Sequence, residues 1–282
     1  MKKYLISLVL IATISLLSAS NNQGKISLIT PETQSIEIDG AVGKLKAILL
    51  TPELSKDKKC PLVVLMHGFM SSKNDPLITA IANQLQENGI ASIRFDFNGH
   101  GESDGEFVKM TVPLEVQDAI AVFKYAKKLD FVSNISLLGH SQGGVVASLT
   151  GEELKGSVQS IVLMAPAAVL VDNAKEGTVF GITYDPVNVP EYVNVFNHKL
   201  GRDYILSAQK LDIFGKASEF KGPVCLIHGK ADQIVPFSYS EKYNEIYNNS
   251  TLHLLEGENH MFSKDQAAVV TTAVDFLKEH SN

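Results

Sequence analysis

Asn134-Ile135-Ser136-Leu137-Leu138-Gly139-His140-Ser141-Gln142-Gly143-Gly144-Val145-Val146-Ala147-Ser148 passes from an apolar, β-prone run through a glycine-flanked serine into a helical pattern reaching Leu154. Its centre, Gly139-His140-Ser141-Gln142-Gly143, has the form G-x-S-x-G. A serine hydroxyl is a weak nucleophile unless it stands on a tight strand-to-helix turn where a histidine can take its proton. The flanking glycines permit the close backbone approach of such a turn, and the helix N-terminus favours negative charge beside it. Such a pentapeptide also arises by chance in glycine-rich turns; the strand before it and the helix after it are what mark this one.

The neighbouring segments continue the same alternation. Pro61–Met66, Ile90–Phe97, Ser160–Met164, Pro223–Ile227 and Thr251–Leu255 are apolar, strand-like runs. Helical periodicity fills Leu77–Glu87, Val112–Leu129, Tyr239–Tyr247 and Gln266–His280. Strands alternating with helices specify an α/β fold: a mostly parallel twisted sheet with helices on both faces. Ser35–Ile38 and Leu45–Leu50 read as an antiparallel hairpin on one edge. The rhythm breaks between Pro166 and Ala217, where prolines, glycines and aromatics are scattered without a clean strand–helix unit. A structureless loop of that length is improbable, and Phe180, Tyr184, Tyr192, Phe196, Tyr204 and Phe214 argue against disorder. Residues 169–216 are therefore expected to form an inserted lid over the sheet edge that carries Ser141.

The 282-residue chain is 45% hydrophobic and 20% charged, ordinary for a globular protein. Its net charge of −6 disfavours nucleic acid and anionic membranes as partners. Lys2 and Lys3, the apolar run Leu5–Leu17 and Ser18-Ala19-Ser20 compose a secretory signal peptide, residues 1–20. The apolar run is short beside the ~20 residues a membrane span needs, so the mature chain, 21–282, is expected in a periplasm or outside the cell. The two cysteines, Cys60 and Cys225, fall in separate strands and are expected to be free thiols, with no metal site. No cofactor is called for.

A serine nucleophile needs a base, an acid that orients the base, and donors for the oxyanion. In the α/β-hydrolase arrangement the order along the chain is serine, acid, histidine, each just after a strand. Asp232 follows Val224–Ile227 in His228-Gly229-Lys230-Ala231-Asp232, and His260 follows Thr251–Leu255 in Glu258-Asn259-His260. Either alone could be a turn aspartate or a surface histidine; the shared order and loop positions select them. The oxyanion donors are expected to be the backbone N–H groups of Gln142 and of Phe69, in His67-Gly68-Phe69-Met70, with His67 supporting that turn. The glycine cluster Asn98-Gly99-His100-Gly101-Glu102-Ser103-Asp104-Gly105 misses the G-x-G-x-x-G spacing and reads as a structural turn, with Arg94 and Asp96 pairing nearby.

These residues resemble the α/β-hydrolase superfamily. The likeness is nearer to bacterial cinnamoyl (feruloyl) esterases in Arg94-Phe95-Asp96-Phe97-Asn98-Gly99-His100-Gly101, in the Ser141 segment, in Met164-Ala165-Pro166-Ala167-Ala168 and in Pro223–Gly229. The resemblance implies a lid whose polar residues meet the phenolic hydroxyl of a hydroxycinnamate. Tyr204 resembles the lid tyrosine, and Val171-Asp172-Asn173 offers an aspartate one place from the lid acid's position, so that Asp172, Asn173 or neither takes that role. The implied activity is hydrolysis of feruloyl or p-coumaroyl esters of plant cell-wall saccharides through an acyl-enzyme. The expected partner is a small-molecule or oligosaccharide ester, with a homodimer left open. A general carboxylesterase or lipase, a serine peptidase and a non-catalytic binding protein are the rival readings.

Overall fold

The alternation of apolar faces along the strands dictates how the layers form. The computed structural model describes residues 28–55 and 57–281; the expected signal peptide lies outside the described residues. Its main sheet has eight strands: β1 (Glu32–Asp39), β2 (Lys44–Thr51), β3 (Cys60–Met66), β4 (Ala91–Phe95), β5 (Val132–His140), β6 (Ile161–Met164), β7 (Val224–Gly229) and β8 (Ser250–Leu255). Their order across the sheet is β8-β7-β6-β5-β3-β4-β2-β1. The six from β3 to β8 pair in parallel, and β1 and β2 form the antiparallel edge.

Successive side chains on a strand point to opposite faces. Along β3, Leu62, Val64 and Met66 join one core cluster while Val63 and Leu65 join the other. Leu137 and Leu138, Ile161 and Val162, and Leu226 and Ile227 divide in the same way. Both faces are thus covered, which is why these strands read as unbroken apolar runs. Each such side chain contributes roughly 1.5–3 kcal/mol by leaving water.

Helices α1 (Pro76–Glu87) and α8 (Gln266–Glu279) cover one face through Leu77, Ile78, Ile81, Leu85, Val270 and Val274. Helices α2 (Val112–Ala126), α3 (Gln142–Glu153) and α7 (Ser238–Ile246) cover the other. Local chemistry sets their starts. The Asp75 carboxylate accepts from the Leu77 and Ile78 amides with Pro76 opening α1, and Thr111 Oγ1 accepts from the Leu114 amide at α2.

Several boundaries differ from the sequence expectation. The fourth strand stops at Phe95 rather than Phe97, because Phe97 and Asn98 donate their amides to side chains, His67 Nε2 and Asp118 Oδ2. Helix α2 ends at Ala126, where Lys128 and Leu129 tighten into a final turn. The fifth strand is longer than expected, Val132–His140.

Residues between β6 and β7 fold as α4 (Val169–Glu176), two short hairpins, α5 (Arg202–Ala208) and α6 (Ile213–Ala217). Helix α4 ends on Gly177 at φ 73°, the left-handed position glycine fills at least cost. The hairpins pair Thr178–Val179 with Ile182–Thr183 and Tyr192–Val195 with His198–Gly201. Val193, Val195, Leu200, Tyr204, Ile205 and Ile213 belong to the same core cluster as α2 and α3. The insertion therefore packs onto the sheet's own core instead of closing a separate one.

Candidate active site

Ser141 sits where β5 turns into α3. Its backbone holds φ 56° and ψ −122°, a strained conformation for a non-glycine residue that costs on the order of 1–3 kcal/mol. The surrounding structure fixes it: the Ser141 amide donates to the Met164 carbonyl at 2.8 Å, and the Ser141 carbonyl accepts from Gly144 and Ala167 at 3.0 Å. The glycines on either side are required by contact. A Cβ on Gly139 would lie 2.0 Å from the Gly143 carbonyl oxygen, and one on Gly143 would lie 2.4 Å from that of His67.

The loops after β7 and β8 bring their side chains to the serine. His260 Nε2 lies 2.9 Å from Ser141 Oγ, and His260 Nδ1 lies 2.7 Å from Asp232 Oδ2. A carboxylate only accepts, so Nδ1 carries the proton and Nε2 is the free base facing the hydroxyl. Asp232 is fixed through both oxygens: Oδ1 accepts from the Ile234 and Val235 amides, and Oδ2 also accepts from His228 Nε2 at 3.1 Å. Burial pushes this carboxyl up, but hydrogen bonds from His228, His260 and the Val235 amide hold it well below the usual carboxylate range. His140 Nε2 donates to the His260 carbonyl at 2.9 Å. Burial drives the His140 pKa down to about 4, so the ring stays neutral beneath the catalytic-type pair.

A cavity of about 530 Å³ opens beside Ser141. Phe69 and Gln142, whose amides are the expected oxyanion donors, both line it. Gln142 opens α3, where first-turn amides have no intrahelical acceptor. Phe69 stacks on Phe180 at 5.6 Å and tilts against Tyr204 at 5.9 Å, so loop and insertion make one aromatic wall. No Asp, Glu, Lys, Arg or His stands among the residues lining this cavity.

Tyr204 and Asn173 line the cavity as well. Asp172 does not: it is solvent-exposed and accepts from the Tyr239 hydroxyl at 2.6 Å, pointing away on the other side of α4. Of the two, only Asn173 lines the cavity. A second correction concerns Asp96. Its buried carboxylate pairs with Lys73 at 2.6 Å, and Arg94 donates to the Lys73 carbonyl and Asn74, so Arg94 and Asp96 do not bond each other. Lys73 sits in the loop after β3, near in space and distant in sequence.

Three residues at the site escaped the sequence reading. His228 was detectable, standing four positions before Asp232. His140 adjoins the serine in sequence, yet its ring meets the His260 backbone instead. Glu115, on α2, carries no motif at all. It is buried and accepts from Gln142 Nε2 at 2.8 Å, while Gln142 Oε1 accepts from the Tyr204 hydroxyl at 2.7 Å. Cys60 and Cys225 are buried free thiols. Among the described residues no group of three or more His, Cys, Asp or Glu is placed to hold a metal ion.

A family model described as serine aminopeptidase, S33, matches residues 57–180. The chain is similar to Est1E from Butyrivibrio proteoclasticus. It is 32% identical to the structure with ferulic acid bound, at a TM-score of 0.83 over 87% of this chain and 98% of that one. A second Est1E structure gives 30% identity and a TM-score of 0.80, over 87% and 98%. An uncharacterized 31.7 kDa Escherichia coli protein of the traX-finO intergenic region is 36% identical over 117 residues, 40% of this chain and 41% of that protein. The match thus spans under half the length of that curated relative.

Proposed function

This chain belongs to the α/β-hydrolase serine esterases, close to the cinnamoyl esterases, and we propose that it hydrolyses feruloyl or p-coumaroyl esters of plant cell-wall saccharides. The observation that carries this reading is the cavity beside Ser141: aromatic-walled, free of charged side chains, with Asn173, Thr178, Tyr184, Tyr204 and Gln233 among its neutral polar residues. Its volume lies within the ~300–1,000 Å³ of small-molecule sites. A neutral aryl acyl group matches that lining. The similarity to Est1E, solved with ferulic acid bound, supports the same class of acid.

Ser141 attacks the ester carbonyl as His260 Nε2 takes its proton. Asp232 orients the imidazole and stabilises the imidazolium that forms. The amides of Phe69 and Gln142 receive the oxyanion; one donor of this kind is typically worth ~10²–10³ in rate. The leaving alcohol takes the proton from His260, and water, activated by the same base, releases the acid. Residues 169–216 act as a lid over the acyl group. Export through the N-terminal signal places the enzyme in a periplasm or outside the cell, where saccharide esters are met.

A general carboxylesterase would use the same three residues. The family description also names an aminopeptidase, but such an enzyme must hold an α-ammonium group, and the cavity lining has no carboxylate to do so. Initial rates on methyl ferulate, methyl p-coumarate and p-nitrophenyl butyrate separate the readings, with Ser141→Ala as control. Preference for the hydroxycinnamates, lost in the variant, is expected. Equal or faster turnover of the butyrate would make the protein a general carboxylesterase.

A further inference from the structure

Asp232 sits between two histidines, and the acyl-transfer steps use only one of them. His228, near the end of β7, places Nε2 3.1 Å from Asp232 Oδ2 and 2.9 Å from the Val235 carbonyl, while its Nδ1 lies 2.7 Å from Ser240 Oγ on α7. His228, Ser240 and the Asp232 carboxylate are fully buried. Resting on the esterase reading above, the geometry points to His228 as a positioning residue. By filling the second acceptor position of Asp232 Oδ2, it fixes the direction in which His260 is held and sets the pH above which that base is free.

Donor counting singles His228 out. Both partners of Nε2 only accept, so Nε2 carries a proton whatever the state of the ring. Ser240 Oγ, which can donate or accept, completes Nδ1 in either case, and the ring has no freedom to turn. A carboxylate has about four acceptor positions, two on each oxygen. Oδ1 fills both with the Ile234 and Val235 amides, and Oδ2 takes His260 Nδ1 at 2.7 Å and His228. The carboxylate therefore cannot rotate without losing a bond. Val235 closes the turn, since its amide donates to Asp232 while its carbonyl accepts from His228.

The second donor also moderates the pull of Asp232 on His260. An N–H edge beside Oδ2 offsets part of the negative charge that steadies the His260 imidazolium. Without it the imidazolium is held more tightly, and the base becomes free only at higher pH. Other titratable groups around the pair do not take this place. The His140 ring lies 5.0 Å from that of His260 but bonds to the His260 carbonyl, and the Asp75 charge acts on His140. The Glu258 carboxylate accepts from the Lys264 and Asp265 amides, and Lys230 pairs with Glu256 at the surface.

The test is the pH profile of kcat/KM from about pH 4.5 to 9, whose acid limb reports the base in the free enzyme. Wild type, His228→Phe and His228→Gln are compared on methyl p-coumarate and on p-nitrophenyl butyrate, so a different preferred ester leaves the outcome readable. In His228→Phe, which keeps a ring but no donor, the limb should move up by roughly half to one pH unit, the size of one neutral hydrogen bond. On the plateau kcat should fall roughly 3- to 10-fold with KM nearly unchanged, because His228 does not line the cavity. Glutamine retains an N–H near the place of Nε2 and should return the limb most of the way to the wild type. A limb that stays put in His228→Phe, or that moves equally in both variants, would overturn the positioning role and leave the esterase reading standing. If His228→Phe does not fold, Ser240→Ala, which frees the ring to turn, should move the limb the same way, and an unmoved limb there overturns the role equally. Absence of Ser141-dependent turnover on both esters in the wild type would instead remove the esterase reading itself.

Discussion

Replacing Glu115 by glutamine should change how stability depends on pH. Burial raises the Glu115 carboxyl from 4.5 to about 8, opposed by the Gln142 hydrogen bond and assisted by the Asp118 charge. Below pH 4.5 the carboxyl is protonated in both folded and unfolded chains. Between 4.5 and about 8 the unfolded chain has released the proton and the folded one keeps it, so the unfolded state binds fewer protons and stability falls as pH rises. At about 1.4 kcal/mol per pH decade, the full window amounts to about 5 kcal/mol as an upper bound, and relaxation around a buried charge reduces it to roughly 3–5 kcal/mol. Asp118, raised by burial to about 6, acts in the same direction over a narrower range. Asp232 does not interfere, because its depressed pKa is expressed at lower pH. Guanidinium unfolding of the wild type and Glu115→Gln at about pH 5, 7 and 9 measures the difference. The variant should gain on the wild type by roughly 3–5 kcal/mol across that span. Parallel profiles would refute the reasoning, since they would mean the carboxyl titrates alike in both states.

Other consequences are more direct. Asp232→Asn should leave the fold intact and lower kcat by about 10⁴-fold in steady-state assays, because the imidazole loses the acceptor that fixes its tautomer. The buried histidines act in the opposite sense. Burial lowers His140 to about 4 and His100 to about 3, so below 6.5 the unfolded chain takes up protons that the folded one refuses; this offsets the gain from Glu115 and Asp118, and thermal midpoints of Glu115→Gln should drop more steeply than those of the wild type from pH 6.5 toward 4.5. Burial pushes the Cys225 thiol up to about 12 and raises Cys60, so neither should react with a thiol reagent in native protein near neutrality, and both should react in denaturant.

Much of the fold was legible because its signals are local and periodic. Runs such as Leu62-Val63-Val64-Leu65-Met66 are apolar at every position only when both strand faces are covered, and the strand before Ser141 with the helix after it fixed one turn unambiguously. Asp232 and His260 were legible for a related reason: each follows a recognisable strand, and parallel strands bring their C-terminal loops to one edge. Contacts made across that order were hidden. Lys73 reaches Asp96 from another loop, so the neighbour in sequence, Arg94, looked like the partner. The side of α4 that faces the cavity depends on how the insertion docks, and this separates Asn173 from Asp172. Glu115 is one glutamate in an amphipathic helix; its meaning exists only once α2, α3 and α5 are packed together.

Labelling with a fluorophosphonate, followed by mass-spectrometric peptide mapping, tests the central claim most directly, since the probe reacts with a serine activated by a neighbouring base. The account predicts one adduct, on Ser141, slowed by methyl ferulate occupying the cavity and lost in His260→Ala. An adduct on a different residue, or none on a folded protein, would contradict it.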